Sequence, residues 1–146
     1  MEKLSLREIA AALGCPQPPE AEITRVITDS REAGEGTLFI ALPGERVDGH
    51  DYINKALAAG AAAAVAERDG DYACPERVLR VGSSLRALLE ISALYRAKMP
   101  ARVVGITGSV GKTTTKEMTA AVMASSYRII KTEGNQNNEI GAPKTL

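Results

Sequence analysis

The chain has 146 residues, enough for one ordinary domain or two small ones, and its 45% apolar content supports a packed core. Eighteen basic residues balance eighteen acidic ones, which leaves no electrostatic footprint for nucleic acid. No apolar run approaches the ~20 residues of a membrane span, and the acidic start MEKLSLREIAAALG does not read as a secretory signal. Cys15 and Cys74 lack C-x-x-C spacing and read as two free cytosolic thiols.

In chain order, residues 4–13 are predicted as a helix. Ser5 and Glu8 stand at capping-box spacing, Leu4 and Ile9 at the spacing of a hydrophobic staple, and Gly14 is a natural stop. EITRVITDS (22–30) alternates like a strand in its first half, and TLFIALPG (37–44) is a second strand ended by Pro-Gly. DGHDYINKALAAG (48–60) is predicted as a helix with Ile53, Ala56 and Leu57 on one face. AAAAVAE (61–67) is a buried strand or the tail of that helix, DGDYACPE is a loop, and RVLRVG (77–82) is a strand. Residues 84–98 form a longer helix with Leu85, Leu88, Leu89, Ser92 and Tyr95 on one face, closed by Met99-Pro100.

From residue 101 the order is strand (ARVVGITG), glycine loop, helix (GKTTTKEMTAAVMASS, with Met118, Ala121 and Val122 inward) and strand (YRIIKTEG). That order opens a parallel α/β sheet, and the second half reads as the start of a domain that the chain does not complete.

The loop departs from the G-x-x-x-x-G-K-[ST] consensus, since Ile106 stands where the first glycine belongs. A phosphate cradle needs converging backbone N–H groups, a helix N-terminus, a cation and a hydroxyl. Gly108 and Gly111 supply the turn, Lys112 the charge for terminal phosphates and Thr113 the hydroxyl for Mg²⁺. Position 106 still lies in the strand, so a compact T-G-x-x-G-K-T loop begins its turn at Gly108. Thr114 and Thr115 also suit local helix packing.

VVGITGSVGKTTTKEM resembles the ATP-binding motif of the Mur ligases, the ATP-dependent amide-forming ligases of peptidoglycan synthesis, whose short T-G-[ST]-x-G-K-[ST] loop accounts for Ile106. Residues 28–67, with T-D-S-R, G-x-L-F-x-A and D-G-H, resemble the N-terminal domain of the members that act on UDP-muramoyl-peptides. KTEGNQNNEIGAPKTL resembles the branch that adds D-alanyl-D-alanine to UDP-N-acetylmuramoyl-tripeptide; Lys144 departs from the apolar residue usual there. The branch that adds the third residue, and a standalone module binding a UDP-sugar-peptide or nucleotide, are the alternative readings.

The resemblance implies an α/β fold. A small substrate domain over 1–82 and a connecting helix over 83–100 are followed by the incomplete start of a parallel-sheet P-loop ATP-binding domain over 101–146. It implies ATP and Mg²⁺ as cofactors, held by Thr107, Gly108, Ser109, Val110, Gly111, Lys112, Thr113 and Thr114. Lys112 and Thr113 act in catalysis, and Thr113 is the metal ligand. Ser30, Arg31, Asn137 and Asn138 are implied at the substrate; Ser30 and Arg31 equally suit a local turn, with Arg31 pairing Glu32 or Glu35. Glu139 is not assigned to the metal. His50, the lone histidine, reads as a capping and packing residue. The implied reaction runs through an acyl phosphate in the bacterial cytoplasm, in a monomer without membrane insertion, and these 146 residues alone are expected to be inactive.

Overall fold

The structure is a computed structural model and describes residues 3–44 and 47–132. Its centre is a parallel sheet of four strands in the order β3-β4-β5-β6: β3 (Arg25–Ile27), β4 (Thr37–Ile40), β5 (Ala63–Ala66) and β6 (Val78–Arg80). All residues of β4 and β5 are buried, as expected of strands covered on both faces. Alternation along the strands divides the core in two. Leu38, Ile40, Ala63, Val65 and Leu79 face helices α1 (Leu6–Ala12) and α3 (Ser84–Lys98), while Ile27, Phe39, Ala41, Ala64 and Ala66 face α2 (Ile53–Ala58). The result is an α/β/α sandwich.

The N-terminal helix is set by its cap. The Ser5 hydroxyl accepts the Arg7 N–H at 3.2 Å, and the Glu8 carboxylate accepts the Ser5 N–H at 3.2 Å. Leu4 and Ile9 are both buried in the same cluster, as the staple spacing predicts. Ile53, Ala56 and Leu57 form the buried face of α2, and the alanine run after Gly60 is the strand β5 rather than a helix tail. Small side chains there let helices approach the sheet from both sides.

Four expectations are corrected. EITRVITDS is two strands, not one. β2 (Glu22–Ile23) pairs antiparallel with β1 (Leu4–Ser5), while β3 joins the main sheet, because Thr24 turns its N–H to the Gly36 carbonyl between them. In α3 the buried stripe is Ser84, Ala87, Leu88, Ile91 and Tyr95; Leu89 is 42% exposed, and Leu85 and Ser92 are half-buried. The buried face is thus turned from the predicted one, with Ala87, Leu88, Ile91 and Tyr95 packed in the cluster on the sheet.

The strands expected over 101–108 and 127–134 are absent from the described residues, which stop at 132, because an extended segment needs a neighbouring ladder and neither segment has one. Helix α4 (Lys112–Met123) forms as predicted, but its apolar face is not inward: Met118 is 66% and Val122 73% exposed, and Ala121 is exposed as well. The periodicity specified the helix, and nothing in the described chain covers it.

Candidate functional site

Two places collect the candidate residues. The first is the carboxyl end of the parallel sheet, where open α/β folds bind ligands. Chain leaving β3 and β4 lines a cleft of about 590 Å³ there, with Ser30, Arg31, Leu42, Val47, Tyr52 and Lys55 among its walls. A short 3₁₀ turn, Ser30–Glu32, carries Ser30 and Arg31 into it. Asp29 builds that turn: one carboxylate oxygen accepts the Arg31 N–H at 2.9 Å, and both oxygens grip the Arg31 guanidinium, the shortest contact being 2.6 Å. Arg31 therefore pairs with Asp29, not with Glu32 or Glu35, and Glu32 pairs with Arg25. The Arg31 side chain stays 82% exposed, so its charge is oriented without being withdrawn from solvent. Across the cleft, the Lys55 ammonium lies 5.9 Å from the centre of the Tyr52 ring.

Gly49 closes the loop between β4 and this wall. Its N–H donates to the Leu42 carbonyl at 3.0 Å, and a Cβ there would stand 2.8 Å from the Leu42 N and O atoms. Only glycine allows that approach. Tyr52, Lys55 and the Asp29 clasp were not singled out in the sequence. An Asp two residues before an arginine is the signal that would have found the clasp, since Asx side chains bond their own backbone two residues on.

The second place is the glycine loop. Gly111 has φ +78°, the left-handed region that favours glycine, and caps α4 without any side-chain acceptor. The Thr115 N–H donates to its carbonyl at 2.9 Å, so the helix starts at Lys112. The backbone N–H groups of the first turn thus face the loop, with the positive end of the helix dipole. Lys112 curls back over the loop and donates to the Gly108 carbonyl. Thr113 and Thr114 occupy the first turn, and Thr107, Gly108, Ser109 and Val110 form the exposed approach. A Cβ added at Gly111 would meet no heavy atom within 4 Å beyond its chain neighbours, so the left-handed φ rather than crowding calls for glycine there.

The structure brings Thr107 to Thr114 together as one loop and Ser30 and Arg31 together in one cleft; the cleft lining includes none of the loop residues. Asn137 and Asn138 lie outside the described residues. Among the described residues there is no cluster of three or more metal-ligating side chains, and no helix is long and apolar enough to cross a membrane.

A parallel α/β sandwich with a cleft at its strand ends, followed by a glycine loop opening a helix, defines an α/β protein. The family model described as Mur ligase family, catalytic domain, matches residues 22–127, and the chain belongs to that family. It is 41% identical to the UDP-N-acetylmuramoyl-tripeptide–D-alanyl-D-alanine ligase of Bacillus subtilis, over 100% of this chain and 33% of that protein. It is 42% identical to the ligase of the same name from Escherichia coli, over 89% of this chain and 28% of that one. Among solved structures, the UDP-N-acetylmuramoylalanyl-D-glutamyl-2,6-diaminopimelate–D-alanyl-D-alanyl ligase of Acinetobacter baumannii superposes with a TM-score of 0.86 at 34% identity, over 99% of this chain and 33% of that one. The MurF ligase of Thermotoga maritima in complex with ADP superposes with a TM-score of 0.76 at 40% identity, over 83% of this chain and 28% of that one. The chain thus spans about a third of the length of the curated relatives it matches.

Proposed function

We propose that this chain supplies the UDP-substrate cleft and the ATP phosphate loop of a ligase that adds D-alanyl-D-alanine to UDP-N-acetylmuramoyl-tripeptide in peptidoglycan synthesis. The observation that carries this reading is the loop itself: a left-handed Gly111 opens α4, with Lys112 folded over the turn, in a chain of the Mur ligase family. The names of the relatives support the choice of acceptor.

In this reading residues 1–82 are the substrate domain, 83–100 the connecting helix and 101–146 the start of the ATP-binding domain. The α3 helix nevertheless packs into the core beside α1, and Lys98 reaches Glu8 at 2.7 Å, so the connector is anchored at the substrate side. The chemistry that ATP with Mg²⁺ would supply when bound is transfer of the γ-phosphoryl group to the tripeptide carboxylate with ADP leaving, and the dipeptide amine would then displace phosphate from the acyl phosphate. The chain's own residues position and neutralise, which is most of what phosphoryl transfer asks of a protein. Backbone N–H groups from Thr107 to Thr114 would hold the phosphates, the Lys112 ammonium would leave the Gly108 carbonyl for the terminal phosphates, and the Thr113 hydroxyl would hold the metal. Ser30 and the Asp29-oriented Arg31 bind the UDP part, a guanidinium being suited to diphosphate. Asn137 and Asn138 approach the substrate. The protein acts as a monomer in the bacterial cytoplasm.

A chimera tests this directly. This chain replaces the matching third of the Bacillus subtilis ligase, and phosphate release is followed. Release should require both UDP-N-acetylmuramoyl-tripeptide and D-alanyl-D-alanine, and should vanish in Lys112→Ala. A folded chimera that turns over only with UDP-muramoyl-dipeptide and a third-position amino acid would overturn the acceptor assignment.

A further inference from the structure

The side chain of His50 is 7% exposed and has a partner on each ring nitrogen. Nδ1 lies 2.6 Å from Asp48 Oδ1, and Nε2 accepts the backbone N–H of Glu67 at 3.1 Å. A nitrogen that accepts carries no proton, so the ring proton sits on Nδ1 and donates to Asp48. The ring thus ties the turn Gly49–Tyr52, which Asp48 caps by accepting the His50 N–H at 3.0 Å, to the chain leaving β5. Val47, Gly49 and Tyr52 of that segment line the cleft.

Charged and titratable groups surround the tie. Asp48 also pairs with Arg68, whose carbonyl accepts the Tyr72 hydroxyl. The Glu67 carboxylate accepts the Ser84 N–H at 2.7 Å at the start of α3, Asp69 pairs with Arg80 of β6 at 2.8 Å, and Asp51 sits in the turn itself. The His50 backbone N–H and ring hold the Asp48 carboxyl below the usual range, so Asp48 stays charged through mildly acidic pH.

We propose that His50 is a positioning residue for the cleft. Its ring pins the Val47–Tyr52 wall to the end of β5 through the Nε2 acceptor, and loss of that acceptor releases the wall and weakens capture of a uridine-diphosphate-linked ligand. The inference rests on the reading of the cleft as the UDP-substrate site. Without that acceptor the half-buried Glu67 N–H loses its partner.

The experiment combines calorimetric titration of UDP-N-acetylmuramoyl-tripeptide at pH 8 into the wild type, His50→Gln and His50→Ala with ¹⁵N spectra of the His50 ring. The spectra should show the Nδ1–H tautomer. Affinity should fall roughly tenfold in His50→Ala, the equivalent of one lost hydrogen bond, and recover in His50→Gln, whose amide oxygen keeps an acceptor. Unchanged affinity in folded His50→Ala, no recovery in folded His50→Gln, or an Nε2–H tautomer overturns the proposal while the cleft reading stands. Absence of binding by the wild type, with the tautomer as described, overturns the cleft reading and the proposal with it.

Discussion

Every residue of β4 and β5 is buried, whereas α4, with twelve residues, buries none. Both stretches are amphipathic or apolar by sequence, and the difference between them is company. The sheet has helices on both faces; α4 has the Lys116 ammonium on the Thr132 carbonyl at 2.6 Å and a Glu117–Lys131 pair, contacts that fasten its polar side. A helix closes its backbone hydrogen bonds within itself, while a strand must find its bonds on neighbouring strands. That is why α4 exists over 112–123 and no strand exists at 101–108.

Hydrogen exchange should separate the two regions most sharply. Amides in β4 and β5 should exchange only with global opening, roughly 10³-fold or more slower than those of residues 101–107. Equal rates would break the comparison. Next in size, Phe39→Ala should cost about 3–5 kcal/mol in denaturant unfolding, whereas Val122→Ala should stay within about 0.5 kcal/mol. A large loss at Val122 would mean that the apolar face of α4 has a partner in solution.

Function should divide along the same line. Lys112→Ala should weaken ATP binding by roughly 10- to 100-fold, as expected for a charged hydrogen-bond donor, without changing affinity for UDP-N-acetylmuramoyl-tripeptide. Loss of both would join what the structure keeps apart. Ser5→Ala removes the cap of α1 and should cost about 1 kcal/mol, read as a lower melting temperature with the loop's ATP affinity unchanged.

The smallest effect concerns pH. Lys98, and then the Ser5 N–H, hold the Glu8 carboxyl below its ordinary value of 4.5. A folded value below the unfolded one gives stability that is present above 4.5 and lost as pH falls through the lower folded value. Glu8→Gln should therefore lower stability at neutral pH, where the contribution is fully present, and flatten part of the acid limb, so that variant and wild type converge in acid. An unaltered acid limb would remove Glu8 from the account.

Part of the candidate site's geometry was legible. The G-K-T loop and the helix it opens were readable because the motif is local: glycine, lysine and threonine fall within one turn of chain. Ser30 and Arg31 were readable as a turn at a strand end, and the structure sets them in a cleft. The grip of Asp29 on Arg31 was missed because several acids stood near Arg31 and spacing alone does not choose among them. Tyr52 and Lys55 were missed because their place on the cleft depends on how α2 sits against β4 and β5, a matter of packing between segments distant in sequence.

The amino-acid sequence by itself determined the local elements of this protein: the capped α1, the buried face of α2, the loop at Gly108–Lys112 and the existence of α4. Each follows from interactions within a few residues, where spacing is geometry. Tertiary structure alone decided that residues 22–27 serve two sheets, that α3 buries Ala87 and Ile91 while Leu89 faces out, and that His50 spends both ring nitrogens joining the turn at Asp48 to the end of β5. Those outcomes depend on which distant groups meet, and a buried hydrogen-bonding atom is satisfied only by the partner that packing delivers to it.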